Sequence, residues 1–582
     1  MPVPRLLRAT TVPALVLLLT LTGCTGTLPS PDPTDTSGQD VSAVVLASPD
    51  ATQRQVVTGT PVQASVHMSA ALFEASPVAV GLAPPPGAPA GGPDPARGPA
   101  AAAAAGLGVP RVLVGPDGEG SADATAELDR LGAGTVIADG DPAADWEALA
   151  GSRELPAGPT EAAAFQDALG FPAEETTGAA AGFVDALGRS EREAPQVVRI
   201  EGDAATVPGG TPEASGEPSE GTALADRATT TDLPDFRAAT DPSDALVLAT
   251  GSSAPASVAT ARAAGADVEL LPEGDPRTGS AAVQAVHEHT DTAVLALGDE
   301  FGTQEEFAVR AAAAATGVEL PAGGQTVFPG RRMGALYGHP SGPYLGALGE
   351  QGIDETMVRV QALAEQYRPF SDEPVIPALD LIATVAGADP GADGSYSNRT
   401  PVDELRPWVD AAEAAGVYVV LDFQSGGSDF LSQVREYEEL LVRPSVGLAL
   451  DPEWRLAPGQ RPLQQIGTVS AAEINEASAW LADLTRDNAL PQKLLMVHQF
   501  RIDMITDRED LDVSRTELAV TLHADGHGTP GQKLDTWNVL QSVPPAGIWP
   551  SWKNFYDEDQ PMLTPEQTYS VVEPKPWLVT YQ

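Results

Sequence analysis

Eight short apolar runs recur through residues 326–582, and that repetition restricts the fold more than any other feature of the chain. They lie at Arg332 to Tyr337, Pro374 to Leu379, Val417 to Leu421, Val446 to Leu450, Leu494 to Val497, Leu518 to Leu522, Ala546 to Trp549 and Trp577 to Tyr581. Helical stretches separate them, at Asp354 to Tyr367, Val402 to Ala415, Ser428 to Leu441 and Ala471 to Asn488. Helix starts are marked by Thr400-Pro401, Ser470 and Thr564-Pro565, where a capping side chain or a first-turn proline suits the open N-terminal amides. Short strands alternating with helices build a parallel sheet, and eight such units over this length predict a (β/α)8 barrel. The crossovers between runs five and six and between six and seven are short for that pattern.

In such a barrel chemistry gathers where the strands end, so the residues closing each run are the candidate site. Run one is followed by His339, run two by Asp380, run three by Asp422 and Gln424, and run four by Asp451, Glu453 and Trp454. Run five ends at His498 and Gln499, run six at His523 and Asp525, and run seven at Trp549 with Trp552 beyond. Within Leu448-Ala-Leu-Asp-Pro-Glu-Trp454, residues two apart share a strand face, so Asp451 and Glu453 are expected to point together into the mouth. A carboxylate pair there suits glycosidic-bond cleavage, one acid protonating the leaving oxygen and the other carboxylate stabilising charge or activating water. Glu453 is the candidate general acid, with Asp451 and Asp422 as base or stabiliser. His339, Asp380, Gln424, Trp454, His498, Gln499, His523, Asp525, Trp549 and Trp552 are candidate substrate contacts, the tryptophans offering flat faces to sugar rings. The Asp-x-Glu at the fourth strand is similar to that of the lysozyme-type muramidases of glycoside hydrolase family 25. Their first strand carries an Asp-Val-Ser-like motif where this chain has Gly334-Ala-Leu-Tyr-Gly-His339, so the nucleophile of that family is not carried over.

His523-Ala-Asp525-Gly-His527 places metal-ligand types at alternate positions, but Gly526 and Gly528 mark loop, so no metal is assigned. No P-loop, nucleophile elbow or dinucleotide fingerprint occurs, and no cofactor is expected. The chain carries 33 Lys and Arg against 81 Asp and Glu, a formal charge of −48, with lysine only at 493, 533, 553 and 575. That field repels phosphate backbones, which excludes nucleic acid as a partner.

The first half reads as open α/β structure. Ala43 to Ala47, Pro77 to Leu82, Arg111 to Val114 and Thr135 to Ala138 are expected strands, and Gly98 to Gly106 and Ser121 to Leu131 expected helices, the second opened by Ser121 and ended by Gly132. The Ala-rich stretch Gly98 to Gly115 followed by Thr125-Ala-Glu-Leu-Asp-Arg-Leu-Gly-Ala-Gly-Thr-Val-Ile-Ala-Asp-Gly resembles the type 2 cell-wall-binding repeat. A second, more divergent copy runs from Asp244 to Val318. The resemblance implies Rossmann-like modules that hold cell-envelope polymer; survival as a scaffold is the other reading.

Arg5 and Arg8, the apolar run Thr10 to Leu21 and the lipobox Leu21-Thr22-Gly23-Cys24 resemble a bacterial lipoprotein signal. The run is about 12 residues, short of the about 20 that span a bilayer. Cys24 is the only cysteine, so it is the expected lipidation site and no intrachain disulfide is possible. The expected organisation is a signal peptide at 1–23, a tether at 24–42, α/β modules at 43–200 and 236–325 joined by an acidic disordered linker at 201–235, and a barrel at 326–582. Two functions remain open on the sequence: a lipid-anchored glycoside hydrolase on the outer face of the membrane acting on an envelope or exogenous polysaccharide, or a non-catalytic lipoprotein that binds or braces wall polymer.

Overall fold

The computed structural model describes residues 42–83, 97–115, 119–140, 151–201 and 233–582. The expected signal peptide, Cys24, nearly all of the tether and most of the expected acidic linker lie outside them. Among the described residues no helix is long and apolar enough to cross a membrane.

The eight runs close into a barrel. Its strands are β1 (Arg332–Gly338), β2 (Val375–Ala386), β3 (Tyr418–Phe423), β4 (Val446–Leu450), β5 (Lys493–Gln499), β6 (Leu518–Ala524), β7 (Trp549–Asn554) and β8 (Leu578–Tyr581). Each pairs in parallel with its sequence neighbours, and β1 pairs with both β2 and β8, which leaves no open edge between them. The helices Ile353–Tyr367, Val402–Ala414, Ala471–Asp487, Pro530–Gln541 and Pro565–Val571 are crossovers, and Phe430–Leu441 is a broken helical stretch between β3 and β4. The β5 to β6 connection has no α-helix, only 3-10 turns at Ile502–Met504 and Arg508–Asp510 and a two-residue strand, Ile505–Thr506, paired with Val469–Ser470. Ser470, Thr529 and Thr564 each accept a backbone N–H three residues on, and Thr529 and Thr564 complete capping boxes with Gln532 and Gln567.

Two apolar layers follow from the two-residue period of the strands. Outward residues such as Leu336, Leu379, Leu381, Val419, Leu421, Leu448, Leu450, Leu495 and Val497 pack under the helices. Inward residues Met333, Ala335, Ile376, Ala378, Tyr418, Val420, Ala449, Leu494, Met496 and Ala519 fill the lower interior. Leu320, Val327 and Phe328, from the segment entering β1, join this inner cluster and plug the floor. Tyr418 crosses from β3 to β5, where its hydroxyl accepts the Leu494 N–H at 3.1 Å. Gly447 on the intervening β4 makes that crossing possible, because a Cβ there would lie 2.7 Å from the Leu494 carbonyl oxygen and 3.0 Å from the Tyr418 hydroxyl.

β7 differs from the expected seventh run. It begins at Trp549, where that run was expected to end, because the apolar stretch Ala546 to Trp549 leads into the strand while the strand itself reads Trp-Pro-Ser-Trp-Lys-Asn.

In the first half, Arg111–Leu113, Val78–Ala83 and Thr135–Gly140 form a parallel sheet with Val78–Ala83 central. The helix Ser121–Leu131 buries Ala124, Leu128 and Leu131 and ends at Gly132, whose φ of 71° is left-handed. Its N-cap is Gly120, and Ser121 is its first residue. The expected strand Ala43 to Ala47 is two short pieces, Ser42–Ala43 beside Phe236–Arg237 and Val45–Leu46 beside Phe73–Ala75. A second parallel sheet runs in the order Asp267–Leu271, Leu246–Thr250, Val294–Leu297, Arg54–Val57. Its last strand comes from the other end of this half, so the segments expected as separate modules share a sheet and one apolar core. This half meets the barrel where Arg277 donates to the carbonyl and hydroxyl of Thr516 at 2.9 and 2.8 Å and Arg310 donates to the same hydroxyl at 2.7 Å.

Gly447→Ala is expected to lower barrel stability by about 1–3 kcal/mol, since the new methyl meets the Leu494 carbonyl of the strand backbone and the hydroxyl of the fully buried Tyr418; urea denaturation followed by tryptophan fluorescence measures it.

Candidate active site

One step above the apolar interior, the inward positions become polar on nearly every strand. Ala335 is followed two residues on by Tyr337, Ala378 by Asp380, Val420 by Asp422, Ala449 by Asp451, Met496 by His498, Thr521 by His523 and Ser551 by Lys553, all seven polar-ring side chains being buried. Ladder pairing sets these residues near one level, for example Tyr337 with Asp380 and His498 with His523.

His498 is the hub of the ring. Its Nδ1 lies 2.9 Å from Asp525 Oδ2, and its Nε2 lies 3.8 Å from Asp422 Oδ1 and 4.0 Å from Asp380 Oδ2. Burial disfavours charge on this imidazole, yet Asp422, the hydrogen bond and charge of Asp525, and Asp451 together raise its pKa to about 10. Asp525 shows the reciprocal effect: burial raises its pKa, but the His498 hydrogen bond and charge outweigh it and hold the carboxyl below its usual range. Burial raises Asp380 to about 7 against the His498 charge, and also raises Asp422 and, further, Asp451. Both oxygens of Asp380, Oδ1 of Asp422, Oδ1 of Asp525 and Nε2 of His498 are buried without a hydrogen-bond partner. Each such group costs about 1–3 kcal/mol when left unsatisfied, so the ring is held by the barrel around it.

Glu453 sits above this ring in the short 3-10 turn Pro452–Trp454. The turn is clamped from both sides, since Asp451 Oδ1 accepts the Glu453 N–H at 3.1 Å and the Glu453 carbonyl accepts the Gly467 N–H at 2.6 Å. Gly467 has no room for a side chain, because a Cβ would strike the carbonyls of Pro452, Glu453 and Arg455. The Glu453 carboxyl is partly buried and raised to about 7, first by burial and then by the charge of Asp525. Lys553 and His498 act against this rise, while Arg455 pairs with Glu473 and Arg501 with Asp503 rather than with Glu453.

Gln424, His339, Gln499 and Trp454 take four different places. Gln424 supports the ring, its Nε2 donating to the Tyr337 hydroxyl at 3.2 Å while its Oε1 accepts the Ala386 N–H. His339 lies beyond β1 with Ser341 Oγ on one ring nitrogen and Thr400 Oγ1 on the other, so it ties loops together. Gln499 falls on the outward face with Leu495 and Val497, and its side-chain amide donates to the Ile502 carbonyl at 3.3 Å. Trp454 is partly exposed beside Glu453.

The two remaining tryptophans do not line the mouth as expected. Trp549 starts β7 at the floor, 5.6 Å from the Phe328 ring and 5.0 Å from Trp577. Trp552 faces outward, buried 5.5 Å from Trp537 of the helix Pro530–Gln541, with its Nε1 donating to Asn554 Oδ1. The alternate His523, Asp525 and His527 also diverge. Both nitrogens of His523 are taken by Ser551 and Thr580 hydroxyls at 3.0 and 2.9 Å, and His527 is exposed beside Phe555.

Sequence reading missed Tyr337 and Lys553. The Lys553 ammonium stands 3.5 Å from the centre of the Tyr337 ring, and the Tyr337 hydroxyl donates to Asp422 Oδ2 at 3.4 Å. For Lys553 the signal was present in Trp549-x-Ser551-x-Lys553, whose alternate positions pass from aromatic to polar to charged.

No family model and no curated protein matches the chain. Among solved structures, Cwp6 from Clostridium difficile aligns with a TM-score of 0.30 and 14% identity over 60% of this chain and 64% of that one. The chain thus spans under two thirds of that protein's length. An enolase from Pseudomonas fluorescens aligns with a TM-score of 0.22 and 14% identity over 56% of this chain and 63% of its own.

Trp552→Ala is expected to destabilise the barrel by about 3–5 kcal/mol through loss of packing, with Trp552→Phe retaining most of it; a chemical-denaturation midpoint unchanged in Trp552→Ala would contradict its placement against Trp537.

Proposed function

We propose that the chain is a glycoside hydrolase acting at the barrel mouth on a cell-envelope or exogenous polysaccharide. The observation that carries this is the divergence of two neighbouring carboxyls: Glu453 is pushed up to about 7 while Asp525 is held below its usual range. Opposed shifts in two acids, one acting on the other through its charge, separate a proton donor from an ionised carboxylate, which is the division of labour glycosidic cleavage needs. Glu453 protonates the departing glycosidic oxygen, and Asp525 carries the negative charge that stabilises the oxocarbenium-like centre or activates water. That second role moves from Asp451 and Asp422, since burial holds both toward the neutral acid. Asp451 instead positions Glu453 through its backbone amide. Trp454, beside the acid and partly exposed, is the remaining aromatic surface for a sugar ring.

The lipobox-like Leu21 to Cys24 supports a lipid anchor on the outer face of the membrane, and the repeat-like first half supports a place at the wall. In this reading the first half positions the barrel on envelope polymer.

Reducing-end release from purified peptidoglycan and a panel of α- and β-glucans tests the proposal. Wild-type protein is expected to cleave one of these substrates, and Glu453→Gln to lower kcat by about 10²–10⁴. The acid works only while protonated, so activity should decline as pH rises through about 7, a limb that Glu453→Gln lacks. Wild type and Glu453→Gln both silent, with retained co-sedimentation on walls, would replace the enzyme with a wall-binding protein.

A further inference from the structure

Four aspartates converge around His498, and the proton donor and ionised carboxylate proposed above use only Asp525 among them. Asp380 and Asp422 come from adjacent strands, β2 and β3, and are fully buried. One donor atom each from Asp380, Asp422 and His498 lies within 4.8 Å of the others. Acids gathered in one place are not a binding site by that fact alone. Two further observations give the cluster a direction. First, both oxygens of Asp380, Oδ1 of Asp422 and Nε2 of His498 have no hydrogen-bond partner although wholly enclosed. Buried polar atoms are ordinarily satisfied, and three side chains unsatisfied on the atoms that face one another point to a missing shared partner. Second, the opposite nitrogen of His498 is held by Asp525 at 2.9 Å. A carboxylate on one imidazole nitrogen fixes the ring orientation that presents the other nitrogen to a metal, and the ion takes the place of the proton that this nitrogen otherwise holds, which leaves to solvent.

We propose that Asp380 Oδ2, Asp422 Oδ1 and His498 Nε2 form a divalent-cation site, with Asp525 orienting the imidazole. Two metal–ligand bonds of about 2.1 Å at a tetrahedral angle separate donors by about 3.4 Å. The 3.8 and 4.0 Å separations from Nε2 therefore close on an ion with shifts of about half an ångström. Two carboxylates and an imidazole, with no thiolate, suit a borderline ion such as Zn²⁺ or Mn²⁺ better than Ca²⁺, which takes all-oxygen cages. Lys553, 3.5 Å from the Tyr337 ring centre, and Tyr337, donating to Asp422 Oδ2, occupy the other side of Asp422 and leave its Oδ1 for the ion. This site shares Asp525 with the glycosidase reading, but Glu453 is not among its ligands, so removing the proton donor leaves the cation site intact.

The test is calorimetric titration of the purified, EDTA-treated full-length protein with Zn²⁺ and with Mn²⁺, each against Mg²⁺ and Ca²⁺. One saturable equivalent of Zn²⁺ or Mn²⁺ is expected, abolished in Asp380→Asn and retained in Glu453→Gln. The acidic surface binds cations diffusely, so the contrast between these variants decides the result. Asp525→Asn, which removes no ligand, is expected to weaken binding about 10- to 100-fold. Co²⁺ substitution adds a readout independent of activity: a visible absorption spectrum of low-symmetry coordination, lost in His498→Gln. Circular dichroism establishes that each variant is folded. Absence of a stoichiometric isotherm for both ions, or an isotherm unchanged in folded Asp380→Asn or Asp525→Asn, overturns the site.

Discussion

Closure of the eight-stranded sheet is the constraint on which the rest of the barrel depends. A closed sheet has one inside, and a strand's two-residue period sends every second side chain into it. Floor and mouth are therefore levels of the same inward positions. At the floor these are Met333, Ile376, Leu494 and Ala519, capped by Phe328; at the mouth they are Tyr337, Asp380, Asp422, Asp451, His498 and Lys553. The lower layers exclude water and lower the dielectric response around the upper ring, which is why its acids depart so far from their solution behaviour.

That burial divides the acids by depth and partner. Asp525 has a direct hydrogen bond from His498 and is stabilised as an anion, while Asp380, with neither oxygen bonded, is driven toward its neutral form. Glu453 stands apart because it leaves the strand. Pro452 ends the ladder, the backbone turns once in 3-10 geometry, and the carboxyl reaches a partly open position under the influence of Asp525. The chemistry proposed for the mouth and the cation site proposed beneath it share Asp525, as the ionised carboxylate of the first and the partner that orients His498 in the second.

The first half follows a different economy. Its sheets are small and parallel, and the strand Arg54–Val57 completes the sheet of residues 246–297 rather than the nearer one. A parallel strand can be donated from any point in the chain once its apolar face fits, and Val57 buries against the same core as Leu295 and Leu297. Arg277 and Arg310 then fasten this half to the barrel through Thr516, with Asp275 beside both guanidinium groups.

Much of this was legible along the chain. Val446–Leu450 is a strand with the boundaries its apolar run predicts, and Gly132 ends its helix in the left-handed conformation its position predicts, because both depend on local periodicity and backbone freedom. The polar residues after the runs were legible as candidates for the same reason. The sequence by itself therefore determined eight alternating units, their apolar faces and the acids near their ends. Only the tertiary structure decided that Trp549 belongs to the floor, that Trp552 faces a helix, that Lys553 and Tyr337 complete the ring, and that His523 is consumed by two hydroxyls. The physical reason is that alternation gives a residue its parity but not its height or neighbours: those follow from strand register and closure, which bring β2, β3, β5 and β6 together across more than a hundred residues of chain.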